Sequence, residues 1–155
     1  MDKNRIEIDI RIPNQTRYLR LIGKIGEELA IGLDEYAGNK NTLAYYLNLV
    51  LTESVINTIT HANASDPDKV VHLSIGIDHD ELVIRVFDEG KGFDINEVPP
   101  PDFEGLSEGG RGVFLIRSIM DSVNYLKVGT VNVLEMRKKL LEHPFEARGS
   151  GHSSK

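Results

Sequence analysis

The 155-residue, 17.3-kDa chain is 40% hydrophobic and 27% charged and has no cysteine, which excludes a disordered segment, a disulfide-stapled fold and a thiolate metal site. Its formal net charge of −6, with no compact Lys/Arg stripe to offset it, argues against a nucleic-acid binder held by phosphate contacts. No run approaches the roughly 18 apolar residues of a membrane span, and Met1 to Arg5 lacks a signal peptide's apolar segment, so a cytoplasmic protein with one ordinary core is expected.

Arg5 to Ile12 alternates polar and apolar throughout, which predicts a half-buried strand with Ile6, Ile8, Ile10 and Ile12 on one face. Pro13 and Asn14 end it. Leu19, Ile22, Ile25, Leu29 and Leu33 then recur at helical spacing, predicting a helix from about Thr16 to Leu33. Gly23, Gly26 and Gly32 each weaken that helix by about 1 kcal/mol relative to Ala. Packing must hold it, or it is built to move. Arg17 and Arg20, near its start, face solvent in the plainest reading.

Gly38 and Asn39 break the chain, and Asn41 or Thr42 can cap a second helix that reaches about His61 or Ala62. On a wheel at about 100° per residue, Asn57 lies about 40° from Glu53, and Val50, Leu43, Ser54, Leu47, Thr58 and Leu51 fill the arc beyond. Glu53 and Asn57 therefore share a stripe at the border of the buried face. Taken alone, the pair also suits an edge carboxylate with a neighbouring amide.

Asn63 to Pro67 reads as a turn. Val70 to Ile77 and Glu81 to Asp88 read as a hairpin closed by Asp78-His79-Asp80. Asp88-Glu-Gly-Lys-Gly-Phe93 follows. A carboxylate at a strand end and glycines at alternate positions let a backbone approach a flat polar ligand closely, although a bare turn has the same composition. Gly90 to Gly110, with Pro99-Pro-Pro101, has little periodicity, and its position after the glycine motif favours a lid. Gly109-Gly-Arg-Gly112 then opens a helix over Val113 to Asp121, where unpaired N–H groups and the helix dipole make an anion site with Arg111 beside it. Two closing strands, Ser122 to Val128 and Thr130 to Met136, meet at Gly129. The expected domain spans 1–141, and 142–155 reads as a polar tail.

This ordered set resembles the Bergerat-fold (GHKL) ATP-binding domain over roughly Arg5 to Leu140: Glu-x-x-x-Asn on a helix, Asp-x-Gly-x-Gly-Phe after a strand, Gly-Gly-Arg-Gly opening a helix, and Gly129-Thr130 between strands. More closely it is similar to the stand-alone bacterial anti-sigma factor serine/threonine kinases of the partner-switching type. The resemblance implies an α/β two-layer sandwich, with a mixed, mostly antiparallel sheet covered by helices on one face. It implies ATP and Mg²⁺ as ligands, with Asn57 holding the metal, Asp88 receiving the adenine amino group, and Gly90, Gly92 and Phe93 beside base and ribose. Gly110, Arg111 and Gly112 would surround the phosphates, and Thr130 would bond near the adenine. Glu53 would be the general base on a serine or threonine hydroxyl, although in ATPases of the superfamily a Glu here activates water.

His61 lies two turns beyond Glu53 and either approaches the phosphates or lid or is a hydrogen-bonded helix-end residue. His72, His79, His143 and His152 share no metal-ligand spacing. The implied partners are an anti-sigma factor antagonist of the STAS type and a sigma factor, with the kinase a homodimer; Arg17, Arg20 and the region of the first-helix glycines are candidate contact surface. Two other readings remain open: a nucleotide-binding module that transfers no phosphate, and an ATP-hydrolysing regulator.

Overall fold

A computed structural model describes residues 5–89 and 111–141. Within them, β1 (Ile6–Pro13), α1 (Leu19–Ile31), α2 (Lys40–Asn57), β2 (Val70–Asp78), β3 (Glu81–Glu89), α3 (Arg111–Ile119), β4 (Ser122–Val128) and β5 (Val131–Lys139) follow in that order. The strands form one sheet in the order β1-β2-β3-β5-β4, and every ladder is antiparallel. The expected two-layer sandwich is what forms; among the described residues its sheet is antiparallel throughout, where a mixed, mostly antiparallel one was anticipated. Among the described residues no helix is long and apolar enough to cross a membrane.

Alternation decides which sheet face is covered. Leu73, Ile75, Ile77, Leu82, Ile84, Val86, Leu134 and Met136 point to one side and are buried with Ile22, Leu43, Leu47, Val50, Leu51 and Ile116 of the helices. The other side carries ionic groups. Arg85 Nε donates to Glu135 Oε2 at 2.8 Å, Arg137 Nε to Glu135 Oε1 at 2.9 Å, and Arg137 Nη1 to Glu81 Oε1 at 2.5 Å.

The first helix begins as a single 3₁₀ turn, Thr16–Tyr18, before α1 proper. Gly23 and Gly26 are buried against α2. A Cβ at Gly26 would lie 2.6 Å from Leu51 Cδ1 and 3.2 Å from the Leu47 carbonyl, and one at Gly23 2.7 Å from the Asn48 amide. The propensity that these glycines forfeit is exchanged for close approach of the two helices. Arg17 and Arg20 remain exposed, with the Arg17 guanidinium 5.1 Å from the Tyr18 ring centroid.

The cap of α2 is Asn39, not Asn41 or Thr42. Its Oδ1 accepts from the backbone N–H groups of both, at 2.9 and 3.1 Å. The helix reaches Ala62 as expected, but its last turn, Thr58–Ala62, is a π-helix closed by Asn63 N–H to the Thr58 carbonyl at 2.8 Å. Buried Asn63 then donates to Asn14 Oδ1 at 2.9 Å, and Asn14 donates to the Asp66 carbonyl at 3.0 Å, tying the end of this turn to the exit of β1. The β2–β3 turn is His79-Asp80 with His79 at φ 58°, and Gly129 at φ 64° turns β4 into β5.

Candidate nucleotide site

α2 packs against α3, and the π turn that follows Asn57 packs against β3. The elements that carry Glu53, Asn57, Asp88 and Gly112 are therefore neighbours, although the residues are scattered over the sequence.

Glu53 and Asn57 are each half-buried, one turn apart on α2, as their place on the wheel required. Burial pushes the Glu53 carboxyl above the usual glutamate range. Its carboxylate reaches the first turn of α3. A Cβ built on Gly112 would lie 3.1 Å from Glu53 Cδ and closer still to Oε2. Arg111 begins α3 and is exposed beside this contact.

Asp88 sits at the end of β3 on the helix-covered side of the sheet. Its cross-strand partner is Asn132, which is 1% exposed and donates from Nδ2 to Asp88 Oδ1 at 2.9 Å. Burial raises the Asp88 carboxyl, and the Asn132 hydrogen bond and the Lys69 charge offset only part of that rise. Asn132 was not singled out from sequence. Its signal was available: an amide breaking the apolar run Val131 to Leu134 has to satisfy its polar atoms in the core. Thr130, expected near the adenine, is exposed in the β4–β5 turn, and the hydrogen bond to Asp88 comes from Asn132.

His61 lies in the π turn and is exposed. A π turn closes over one more residue than an α turn, so the phase read from an α wheel does not hold beyond Asn57. Gly90, Gly92, Phe93 and Gly110 lie outside the described residues, as do the proline-rich stretch and the C-terminal tail. A cavity of about 720 Å³ adjoins Asp88 at the same end of the sheet, lined by Arg11, Lys69, His72, Phe87 and Glu89 among its walls. Neither Glu53 nor Asn57 lines it. Among the described residues no group of three or more His, Asp or Glu side chains could hold a metal ion.

Comparison with known proteins bears on the family of the whole domain. Residues 12–138 match the family model described as "Histidine kinase-like ATPase domain". The chain belongs to that family. Among curated proteins it is similar to the serine-protein kinase RsbW of Bacillus subtilis, 27% identical over 135 residues and 79% of each chain. It is likewise similar to the serine-protein kinase RsbW of Listeria innocua, 28% identical over 156 aligned positions and 96% of each chain. Among solved structures, the histidine kinase domain of the Erythrobacter litoralis EL346 blue-light activated kinase aligns with a TM-score of 0.48 and 21% identity. That alignment covers 83% of this chain and 62% of the other.

Proposed function

We propose that this member of the histidine kinase-like ATPase family is an ATP- and Mg²⁺-dependent protein serine/threonine kinase. In this reading it acts as an anti-sigma factor and phosphorylates an anti-sigma factor antagonist of the STAS type. The observation that carries the proposal is the approach of Glu53, one turn from Asn57 on α2, to the first turn of α3 at Gly112. The likeness to the RsbW serine-protein kinases, which extends over 96% of the chain in one case, supports it.

The residues present fit the nucleotide. Asp88 has one oxygen engaged by Asn132 and a second with which to accept the adenine amino N–H bonds. The start of α3 presents the positive end of a helix dipole, with the Arg111 guanidinium beside it. The neutral amide oxygen of Asn57 suits Mg²⁺, which takes few protein ligands and keeps phosphate oxygens and waters.

ATP supplies the phosphoryl group when bound, and the transfer itself asks the protein mainly for positioning and charge neutralisation. Glu53 then accepts the proton of the attacking serine or threonine hydroxyl. Its partial burial suits that role, because desolvation raises proton affinity while the neighbouring α3 terminus still favours the carboxylate. A sigma factor as alternate partner and a homodimeric state belong to the same reading.

The test is transfer of the γ-phosphate from labelled Mg-ATP to small antagonist-type proteins from the same source, with Glu53→Gln as control. Label on a serine or threonine, lost in the control, is expected. Intact ATP binding without transfer would leave a binding module, and phosphate release without any acceptor would make the protein an ATP-hydrolysing regulator.

A further inference from the structure

Gly112 has an ordinary helical backbone. Among the described glycines only Gly129 has a positive φ, so conformational freedom does not explain a glycine inside the first turn of α3. An alanine would suit a helix interior better by about 1 kcal/mol. What the position lacks is room. The Cβ that any other residue would bring meets Oε2 of Glu53, lies 3.1 Å from its Cδ, and is 3.6 Å from its Cβ.

The obstruction comes from a side chain of three rotatable bonds on a half-buried residue of α2. α2 and α3 are in contact along this stretch, and Val113 and Ile116 of α3 are buried in the shared core. A Cβ at position 112 would therefore turn the carboxylate away, or tilt the first turn of α3 away from α2.

We propose that Gly112 is the positioning residue for Glu53: its missing side chain is the space that seats the carboxylate against the start of α3. This rests on the kinase reading for the role of Glu53 as base, while the steric coupling stands independently of it. The glycine then serves the orientation of the base as well as any approach of phosphate to the helix terminus. The docking of α3 on α2 fixes where the base points.

The experiment is a double-mutant cycle in the full chain, with thermal unfolding midpoints read for wild type, Gly112→Ala, Glu53→Ala and the double variant. Glu53→Asp and its combination with Gly112→Ala are assayed for phosphoryl transfer. In the wild-type background Gly112→Ala is expected to lower the midpoint. In the Glu53→Ala background it is expected to raise it, because helix propensity then acts without the clash. Phosphoryl transfer by Gly112→Ala is expected to fall by about a hundredfold, the scale of a small misplacement of a reacting group. The shorter carboxylate of Glu53→Asp is expected to restore part of that loss, although it lowers activity when introduced alone. A Gly112→Ala change that raises the midpoint equally in both backgrounds would overturn the proposal, since the carboxylate would then not occupy that space. Reversal of sign with no phosphoryl transfer in the wild-type protein would leave the seat in place and remove the kinase reading instead.

Discussion

Asn132 stands directly across the β3–β5 ladder from Asp88 and donates to its carboxylate from a position almost closed to solvent. The amide fixes the orientation of the carboxylate, which in the proposed reading meets the adenine amino group. Because the amide binds the ionised form, it also opposes the rise that burial imposes on Asp88. Asn132→Ala should therefore weaken ATP about tenfold, the effect of one hydrogen bond to a charged group. It should also move the acid limb of ATP binding to higher pH. Titration of nucleotide affinity against pH in both proteins checks this; an unchanged limb would show that the amide does not hold the carboxylate.

Asp88→Asn should separate stability from binding. The folded protein holds the Asp88 proton more tightly than the unfolded chain does, so acidification stabilises through this group and a rise in pH through its raised pKa removes that contribution. At pH 8 the ionised, half-buried carboxylate is a net cost. The neutral amide should raise the unfolding midpoint there while lowering ATP affinity at least about tenfold, since it no longer accepts at both oxygens. Calorimetric melts with and without nucleotide measure both effects.

The ionic ladder on the open face of the sheet has the opposite sign. Burial alone would push Glu135 up, but its hydrogen bonds from Arg137 and Arg85 and the charges of both hold it below the usual glutamate range. Its stabilising contribution is thus complete above the unfolded-state value, about 4.3, and is lost as pH falls through the depressed one. Arg85 and Arg137 are 39% and 35% exposed, so solvent screening reduces the worth of the ladder to about 1 kcal/mol. Urea unfolding of Glu135→Gln should show that deficit at pH 7 and none near pH 2.

Between α1 and α2, the two buried glycines should respond differently. Gly26→Ala meets a backbone carbonyl as well as Leu51 and should cost about 1–3 kcal/mol in chemical denaturation. Gly23→Ala meets first the end of the Asn48 side chain, which can swing away at the expense of its 3.2 Å bond to Glu27. Its loss should be smaller, with helix propensity offsetting part of it. Equal losses would mean that the helices separate as rigid bodies.

Catalysis should carry the mark of the raised Glu53 carboxyl. Phosphoryl transfer at saturating Mg-ATP should decline on acidification through a pKa above the ordinary glutamate range, because only the ionised form accepts the hydroxyl proton. Glu53→Gln should abolish the transfer while leaving nucleotide affinity within about threefold. A pH-independent rate from 5 to 8 would remove Glu53 from the role of base.

Much of this was legible in the sequence because periodicity and glycine chemistry are local. The isoleucine alternation of β1 and the wheel position of Glu53 and Asn57 each follow from a few neighbouring residues. The need of Asn132 for a buried partner was legible, but the partner was not, since Asp88 is 44 residues away and only the β3–β5 register brings them opposite. The π turn after Asn57 escaped for a related reason: Thr58–Ala62 is as compatible with α-helix as with the wider turn, and Asn63, which closes the turn, bonds to the distant Asn14 just past β1. The purpose of Gly23 and Gly26 was half visible. Their cost to the helix could be counted from sequence, whereas the helix they admit could not be identified.

The far end of α3 has a mechanical consequence. Lys138 Nζ bonds to the Ile119 carbonyl at 3.0 Å, Asp121 N–H bonds to the Arg137 carbonyl at 2.8 Å, and Lys139 N–H bonds to Asp121 Oδ2 at 2.6 Å. The carboxyl end of the helix is thereby riveted to β5 by side-chain and main-chain bonds together. Any adjustment of α3 to a ligand must then be a swing about that end, with its greatest travel at Arg111 and Gly112. The same strand that fixes this pivot also carries Asn132, about 20 Å away at the other end of six extended residues. One strand thus serves as common datum for the orientation of the Asp88 carboxylate and for the arc along which the start of α3 can move.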